Sequence, residues 1–405
     1  MTDSLPVTDS SQPNQPRSQP SIRRPAVVYA ALFFAIGTFA PYLSVFYRSV
    51  GLTLEGIGFV AALTGVVAVV AAPMWGAAVD RLRDARGPLL VAGLWGAAAA
   101  AWLAVSREPV LVAVAAAILS AGTAGMGSML DSRTIEIMGS SRDRYGRARA
   151  WGSAGFVAGA LVVGFVLQGT GPAGMFLLYA PAVAAAGIAA WLLLGQPVGR
   201  GVRSVSIGMG RDLGGLARTP GLLLLFVGSV IVWTSFAAVT TFVSLQLVQL
   251  GAGTAVVGFV FTPGPLVEIP FMLAFPALAR KVGAERLLVL GALAFAARAA
   301  GWALVSEPWL YVAIAPLSGV GYALFYVGTV TYIARAVPPS VQATAQGVFS
   351  GTSMALGAIL GAVLGGQVAA VLTIPGMFAV AAASTLVGAL IVGRATSLRR
   401  TVSGG

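Results

Sequence analysis

An all-α integral membrane fold, with twelve transmembrane helices in two pseudo-symmetric six-helix bundles, is what this sequence predicts. Three observations carry that prediction: too little charge for a water-exposed surface, apolar runs of spanning length in series, and a second half that repeats the first. Of 405 residues, 58% are apolar and only 9% charged, where a soluble protein has about 25% charged residues. A chain so poor in charge cannot cover its own surface with polar groups, and it belongs in lipid.

Residues 1–25 are polar and carry Pro6, Pro13, Pro16, Pro20 and Pro25. They lack the basic-then-apolar order of a signal peptide and read as a disordered cytoplasmic tail. Apolar runs follow near 26–47, 56–79, 88–106, 110–138, 145–168, 173–194, 220–246, 254–278, 284–306, 309–334, 341–369 and 375–393. Each is long enough for the ~30 Å hydrocarbon core. None alternates apolar with polar residues as the strands of a barrel do. The first six runs, within 26–194, make one bundle, and the last six, within 220–393, make the other. Between them, 195–219 is a Gly-rich cytoplasmic linker with Arg200, Arg203, Arg211 and Arg218, and 394–405 is a second tail.

The arginines set the expected orientation. Arg17, Arg23 and Arg24 lie in the tail, and the even-numbered loops hold Arg81, Arg83 and Arg86, then Arg142, Arg144 and Arg147, then the linker four, then Arg280, Lys281 and Arg286. The opposite side has little beyond Arg48 and Arg107. With an even number of spans, this bias puts both termini in the cytoplasm of a multi-pass protein of the cell membrane. The net charge of +12 reads as the same topological signal, and no nucleic-acid partner is expected.

The two halves repeat each other. Gly51, Gly58, Phe59, Val60 and Val105 recur as Gly251, Gly258, Phe259, Val260 and Val305, all offset by 200. Further on, Gly155, Gly159, Gly164, Met175 and Phe176 recur as Gly357, Gly361, Gly366, Met377 and Phe378, offset by 202. Two blocks at nearly one offset point to a six-plus-six duplication, the mark of an alternating-access carrier with its site between the halves.

With no Cys and no His, thiolate and imidazole metal sites, Cys nucleophiles and Ser-His-Asp triads are excluded. The one lysine, Lys281, stands in ARKVG, so there is no P-loop. No cofactor or metal is expected. The chemistry must rest on a few charges. The stretch GAAVDRLRDAR holds Gly76, Asp80, Arg81 and Arg86. An Asp beside basic residues at a tight helix end can latch helices at the cytoplasmic face; an ordinary positively charged loop is the alternative. Asp131 and Arg149 each lie nine residues from Ser140, so antiparallel spans 4 and 5 bring them to one depth. They are either a site pair or charges that snorkel to the interface. Glu268 and Arg298 each lie fifteen residues from Gly283, roughly 20 Å along a helix. Unpaired charges at that depth cost about 3 kcal/mol each, which makes function the default reading and a static ion pair the alternative. The span 1 aromatics Phe33, Phe34, Phe39, Tyr42, Phe46 and Tyr47 are either a wall for a ring-bearing ligand or an interfacial belt.

At these residues the chain resembles the major facilitator superfamily over essentially all of 26–393, and GAAVDR is similar to that superfamily's signature between helices 2 and 3. Within it, PYLSVFYRSVGL, YGRARAWGSAGF, LVEIPFM and ATAQGVFSG look like the group that holds lactose permease and the phenylpropionate and nucleoside permeases. The resemblance implies that Arg149 binds substrate with Asp131 as its partner carboxylate, and that Arg298 serves proton coupling. Trp151 and Phe156 of the span 5 motif and Tyr42 of the span 1 motif are the further substrate-binding residues it implies. Where the permease has a His and a proton-carrying Glu in span 10, this chain has Ser318 and Gly321.

The expectation is therefore a monomeric secondary transporter that imports a small organic solute with protons by alternating access, Glu268 carrying the proton beside Arg298. A carboxyl group removed from water takes up a proton more readily, and one facing an arginine gives it up. A proton-driven exporter of hydrophobic compounds is the alternative within the class. An intramembrane enzyme lacks its nucleophile and base here, and an open channel fits a duplicated fold with acid–arginine pairs poorly.

Overall fold

Eleven helices among the described residues are long and apolar enough to cross a membrane, and the last of them is two spans joined at a kink. The computed structural model describes residues 21–138, 142–195, 221–338 and 341–403. The expected tail before residue 21 and nearly all of the expected linker, 196–219, lie outside the described residues. The spans are α1 (Arg23–Ser49), α2 (Leu54–Leu82), α3 (Arg86–Val105), α4 (Pro109–Met138), α5 (Arg142–Thr170), α6 (Pro172–Leu193), α7 (Leu222–Gln249), α8 (Thr254–Val282), α9 (Ala284–Leu304) and α10 (Pro308–Ala336). Thr373, at φ 76° and ψ 166°, then separates α11 (342–372) from α12 (374–403), which completes the expected twelve. The expected C-terminal tail is helical as far as Ser403, continuing α12.

Local chemistry explains where the helices begin and break. Thr53 caps α2 by accepting the Gly56 N–H at 3.1 Å, and Glu55 in the first turn suits the positive helix end. Pro109 and Pro308 open α4 and α10, where a missing N–H costs nothing. Gly51 and Gly251, offset by 200, both have positive φ, 91° and 78°, in the equivalent α1–α2 and α7–α8 turns. Four spans are interrupted in mid-course: α1 at Ala40–Tyr42, α4 after Thr123, α8 between Val260 and Pro263, and α10 between Ile314 and Pro316.

Within each half, glycines let helices touch backbone to backbone. On α5, Gly155 and Gly159 lie against the carbonyls of Ala30 and Phe34 on α1. On α11, Gly361 lies against the carbonyl of Thr234 on α7, and Gly357 against Trp233. The halves meet through the same device. Gly58 of α2 lies against the Ala362 carbonyl of α11, and Gly258 of α8 against the Ala160 carbonyl of α5. A Cβ on Gly366 would stand 2.6 Å from the Leu54 carbonyl, and one on Gly164 2.9 Å from the Thr254 carbonyl. These four contacts form two pairs related by the 200- and 202-residue offsets, so the seam between the halves is itself pseudo-symmetric. It lies at the end of the molecule away from the chain termini. Hydrogen bonds reinforce it there: the Ser244 hydroxyl donates to the Pro41 carbonyl, and the Thr254 hydroxyl to the Gly164 carbonyl.

Candidate functional site

Beyond the seam a cavity of about 230 Å³ lies between the halves, with Phe156 of α5 on one side and α7, α8, α9 and α10 on the other. Arg149 stands seven residues before Phe156 on the same face of α5, about 10 Å nearer the end that carries the termini. Its side chain is 46% exposed, so the groove is open toward that end.

The structure brings Asp131 and Arg149 together. The Arg149 Nη1 donates to Asp131 Oδ1 at 2.9 Å, the Tyr29 hydroxyl donates to the same oxygen, and the Arg149 guanidinium lies 5.7 Å from the centre of the Phe33 ring. Helix α4, resumed at Met126 after its break, carries Asp131, while α1 supplies both aromatics.

Glu268 and Arg298 both line the cavity, yet they form no ion pair with each other among the described residues. Equal depth on neighbouring spans was not enough. The second part of α8 packs on α10: Gly319 of α10 lies on the Gly264 carbonyl and beside the Glu268 N–H, so close that a Cβ there would overlap the backbone. Arg298, 3% exposed, is held instead among rings, 4.9 Å from the centres of Phe236 and Trp302 and 5.8 Å from that of Phe295.

Two expected binding residues stand elsewhere. Tyr42 is fully buried in the seam, its hydroxyl 2.8 Å from the Ala160 carbonyl and 3.1 Å from that of Thr254. Trp151 is 56% exposed on the same face of α5 as Val162 and Phe165, roughly 200° around the helix from Arg149, and so faces away from the cavity. Phe156 does line it. Of the span 1 aromatics, Phe46 and Tyr47 are buried, Phe46 packing edge-on against Phe176, while Phe39 stacks on Tyr179. They build the N-terminal bundle.

The expected latch is displaced along its loop. Asp80 and Arg81 are exposed at the end of α2 and join no ion pair among the described residues, and Gly76 has open space around it. Asp84 makes the ion pair of this loop instead, because α2 runs on as far as Leu82 and only then turns, Arg83 at φ 53°. Asp84 accepts from Arg86 Nε at 2.9 Å, Arg86 Nη2 at 2.8 Å and the Arg86 backbone N–H, while Arg86 lies 5.2 Å from the Trp191 ring of α6. Partial burial pushes the Asp84 carboxyl up, but its bonds to Arg86 outweigh that and hold it below the ordinary value. A neighbouring tie is deeper: Arg133 of α4, 3% exposed, pairs with Glu136 and donates to the Leu194 and Gly195 carbonyls at 3.1 and 2.8 Å.

The cavity also has walls that were not singled out beforehand: Phe236 and Thr240 of α7, Trp302 of α9 and Tyr322 of α10. A signal for part of this set exists in the sequence. Phe295, Arg298 and Trp302 are spaced three and four apart, which puts an arginine between two aromatics on one helix face.

The model of the MFS_1 like family matches residues 23–378. The chain belongs to this family. The maltose permease of Geobacillus stearothermophilus is 28% identical over 365 residues, covering 90% of this chain and 92% of that protein. A putative nucleoside transporter of Escherichia coli, YegT, is 26% identical and covers 74% of this chain and 73% of that protein. The crystal structure of the nucleoside transporter NupG superposes with a TM-score of 0.81 at 18% identity, covering 92% of this chain and 98% of that one. This member of the MFS_1 like family is thus a multi-pass membrane protein of the major facilitator fold, a secondary transporter and not an enzyme.

Proposed function

We propose that this transporter imports a small, ring-bearing polar solute of the sugar or nucleoside type across the cytoplasmic membrane, together with protons, by alternating access. The observation that carries the reading is the cavity between the halves, walled by aromatic rings and by one carboxyl and one guanidinium that are not paired with each other. Aromatic faces suit the apolar faces of sugar and base rings, and the charged and hydroxyl groups suit their polar edges. A purely hydrophobic compound would leave the Arg298 guanidinium on the wall without a polar partner. The maltose and nucleoside relatives support the solute class, and the arginine-rich side supports a cytoplasmic position for the open end.

Glu268 is the proposed proton carrier. It is the acid on the cavity wall, and the groove that Arg149 borders lies between it and the opposite half. A change that brings the halves together or apart at that end alters its distance from Arg149, which favours release or uptake of the proton. The test uses proteoliposomes with an imposed pH gradient, loaded with maltose or uridine. Wild type is expected to concentrate solute along the gradient and to catalyse counterflow. Glu268→Gln, neutral and of the same shape, is expected to keep counterflow and lose accumulation. Accumulation by Glu268→Gln at the wild-type level would move the proton to another group, and gradient-insensitive, non-saturating flux in wild type would overturn the carrier reading.

A further inference from the structure

Arg298 is buried to 3% exposure on the cavity wall, and its Nε and Nη2 have no hydrogen-bond partner among the described residues. Those two nitrogens form one edge of the guanidinium, from which two N–H bonds project side by side in the plane of the group. Phe236, Phe295 and Trp302 surround the group at 4.9 to 5.8 Å. Such rings compensate part of the charge, but they offer no in-plane acceptor to the two N–H bonds. Buried donors left unfilled are costly, more so on a charged group. The Thr240 hydroxyl donates to the Phe236 carbonyl and the Ser318 hydroxyl to the Ala315 carbonyl, and neither oxygen accepts from Arg298 Nε or Nη2. Glu268 shares the cavity without reaching ion-pair distance, and Arg149 is engaged by Asp131.

We infer that Arg298 is the anchor for the transported solute, and that the solute presents to it two adjacent oxygens, as a carboxylate or a vicinal diol does, on a body that packs against Trp302 and Phe236. A pair of neighbouring oxygens is what the guanidinium edge takes bidentately. This rests on the cavity being the transport site. It departs from the role in proton coupling that the resemblance implies for this arginine, and it moves the anchor from the N-terminal half, where Arg149 sits, to the C-terminal half.

The test is equilibrium binding to purified full-length protein by calorimetry and thermal shift, with two matched pairs of probes. Uridine and 2′-deoxyuridine differ by one oxygen of a vicinal diol, and 3-phenylpropionate and 3-phenylpropanamide differ by the carboxylate. Wild type is expected to prefer the first member of one pair by about 10- to 100-fold, and the pair that responds identifies the source of the two oxygens. Arg298→Gln is expected to erase that preference. Arg298→Lys keeps the charge and the ring contacts but not the paired N–H edge, so it also erases the preference and carries the test if the Gln variant does not purify as a single species. Wild type with no preference in either pair overturns the inference, as does either variant that keeps the wild-type preference. Counterflow of the same probes separates this from the transport reading. Preference in binding without counterflow sinks the transport reading alone, whereas counterflow with unchanged preference in Arg298→Lys sinks the anchor alone.

Discussion

Substituting Gly58 by Ala puts a methyl group into the seam between the halves, and the expected result is a shift in conformational equilibrium rather than a loss of fold. The new Cβ would overlap the Ala362 carbonyl and stand 3.3 Å from the Gly366 Cα. Both are backbone atoms, so no rotamer change relieves the overlap, and α2 must move from α11 by about 1 Å to reach van der Waals distance. Overpacking of this kind costs about 1–3 kcal/mol. The gain in helix propensity, about 0.8–1 kcal/mol for Gly to Ala, applies whether the seam is closed or open and cancels in the comparison. The ratio of open-seam to closed-seam molecules is therefore expected to rise about 5- to 150-fold. Because the chain has no cysteine, Ser49→Cys and Gln249→Cys, at the exposed tips of α1 and α7, supply unique sites for nitroxide labels. Pulsed EPR between them should show a longer-distance population that grows in Gly58→Ala. Its pseudo-symmetric counterpart Gly258→Ala should do the same, and the double variant should add the two effects. Gly76→Ala, with nothing within 4 Å, is the control. Unchanged distance distributions in both seam variants would refute the argument that these contacts hold that end closed.

Arg149→Ala removes the ion pair on Asp131 and leaves that carboxylate with the Tyr29 hydroxyl; half-saturation in counterflow is expected to worsen about 10- to 100-fold, Asp131→Asn to weaken it too and Asp131→Glu to keep part, and unchanged kinetics in Arg149→Ala would make the pair structural. Asp84→Asn is expected to lower stability by less than about 1 kcal/mol at neutral pH, since Asp84 and Arg86 are partly solvated. The Asp84 carboxyl is held below its ordinary value of 3.8 in the folded state, so its contribution is full above that value and is lost as pH falls through the lowered one. Melting curves of wild type and Asp84→Asn should therefore converge in acid, and a gap that widens there would show the sign to be wrong. Gly319→Ala meets the Gly264 carbonyl and the Glu268 N–H, so a lowered melting temperature, worth about 1–3 kcal/mol, and reduced uptake are expected together; a wild-type melting curve would mean that α8 and α10 part freely.

The architecture was legible in the sequence because it follows from composition and spacing, which depend on one residue at a time. Spanning length marked the helices, and the repeated glycines other than Gly51 and Gly251, which form turns, proved to be residues that bring helices close together, both within each half and across the seam. The Asp131–Arg149 pair was legible because α4 runs unbroken from Met126 to Met138 and α5 from Arg142, which keeps the two residues at one depth on neighbouring spans. Glu268 and Arg298 do not pair, although the helices from Pro263 to Val282 and from Ala284 to Leu304 are each unbroken, because depth counted along an ideal helix says nothing of which neighbour a side chain faces. Glu268 stands beside Gly319 of α10, and Arg298 among Phe236, Phe295 and Trp302. Tyr42 and Trp151 were misplaced for a related reason. A motif names residues, but the face each one occupies depends on packing, which leaves Trp151 on the outer face of α5 and Tyr42 inside the seam.

Helix α4 is a lever with two grips. On one side Arg133 holds the Leu194 and Gly195 carbonyls, the last described backbone groups before the connection to the second half. Two residues away, on the other side, Asp131 holds Arg149. The end of α6 is thereby tied to α4 through a guanidinium that buries its donors on those carbonyls, and α4 in turn grips α5 through the Asp131 carboxylate. A displacement of α6 at this rim is therefore passed on to α5 by way of a single turn of α4.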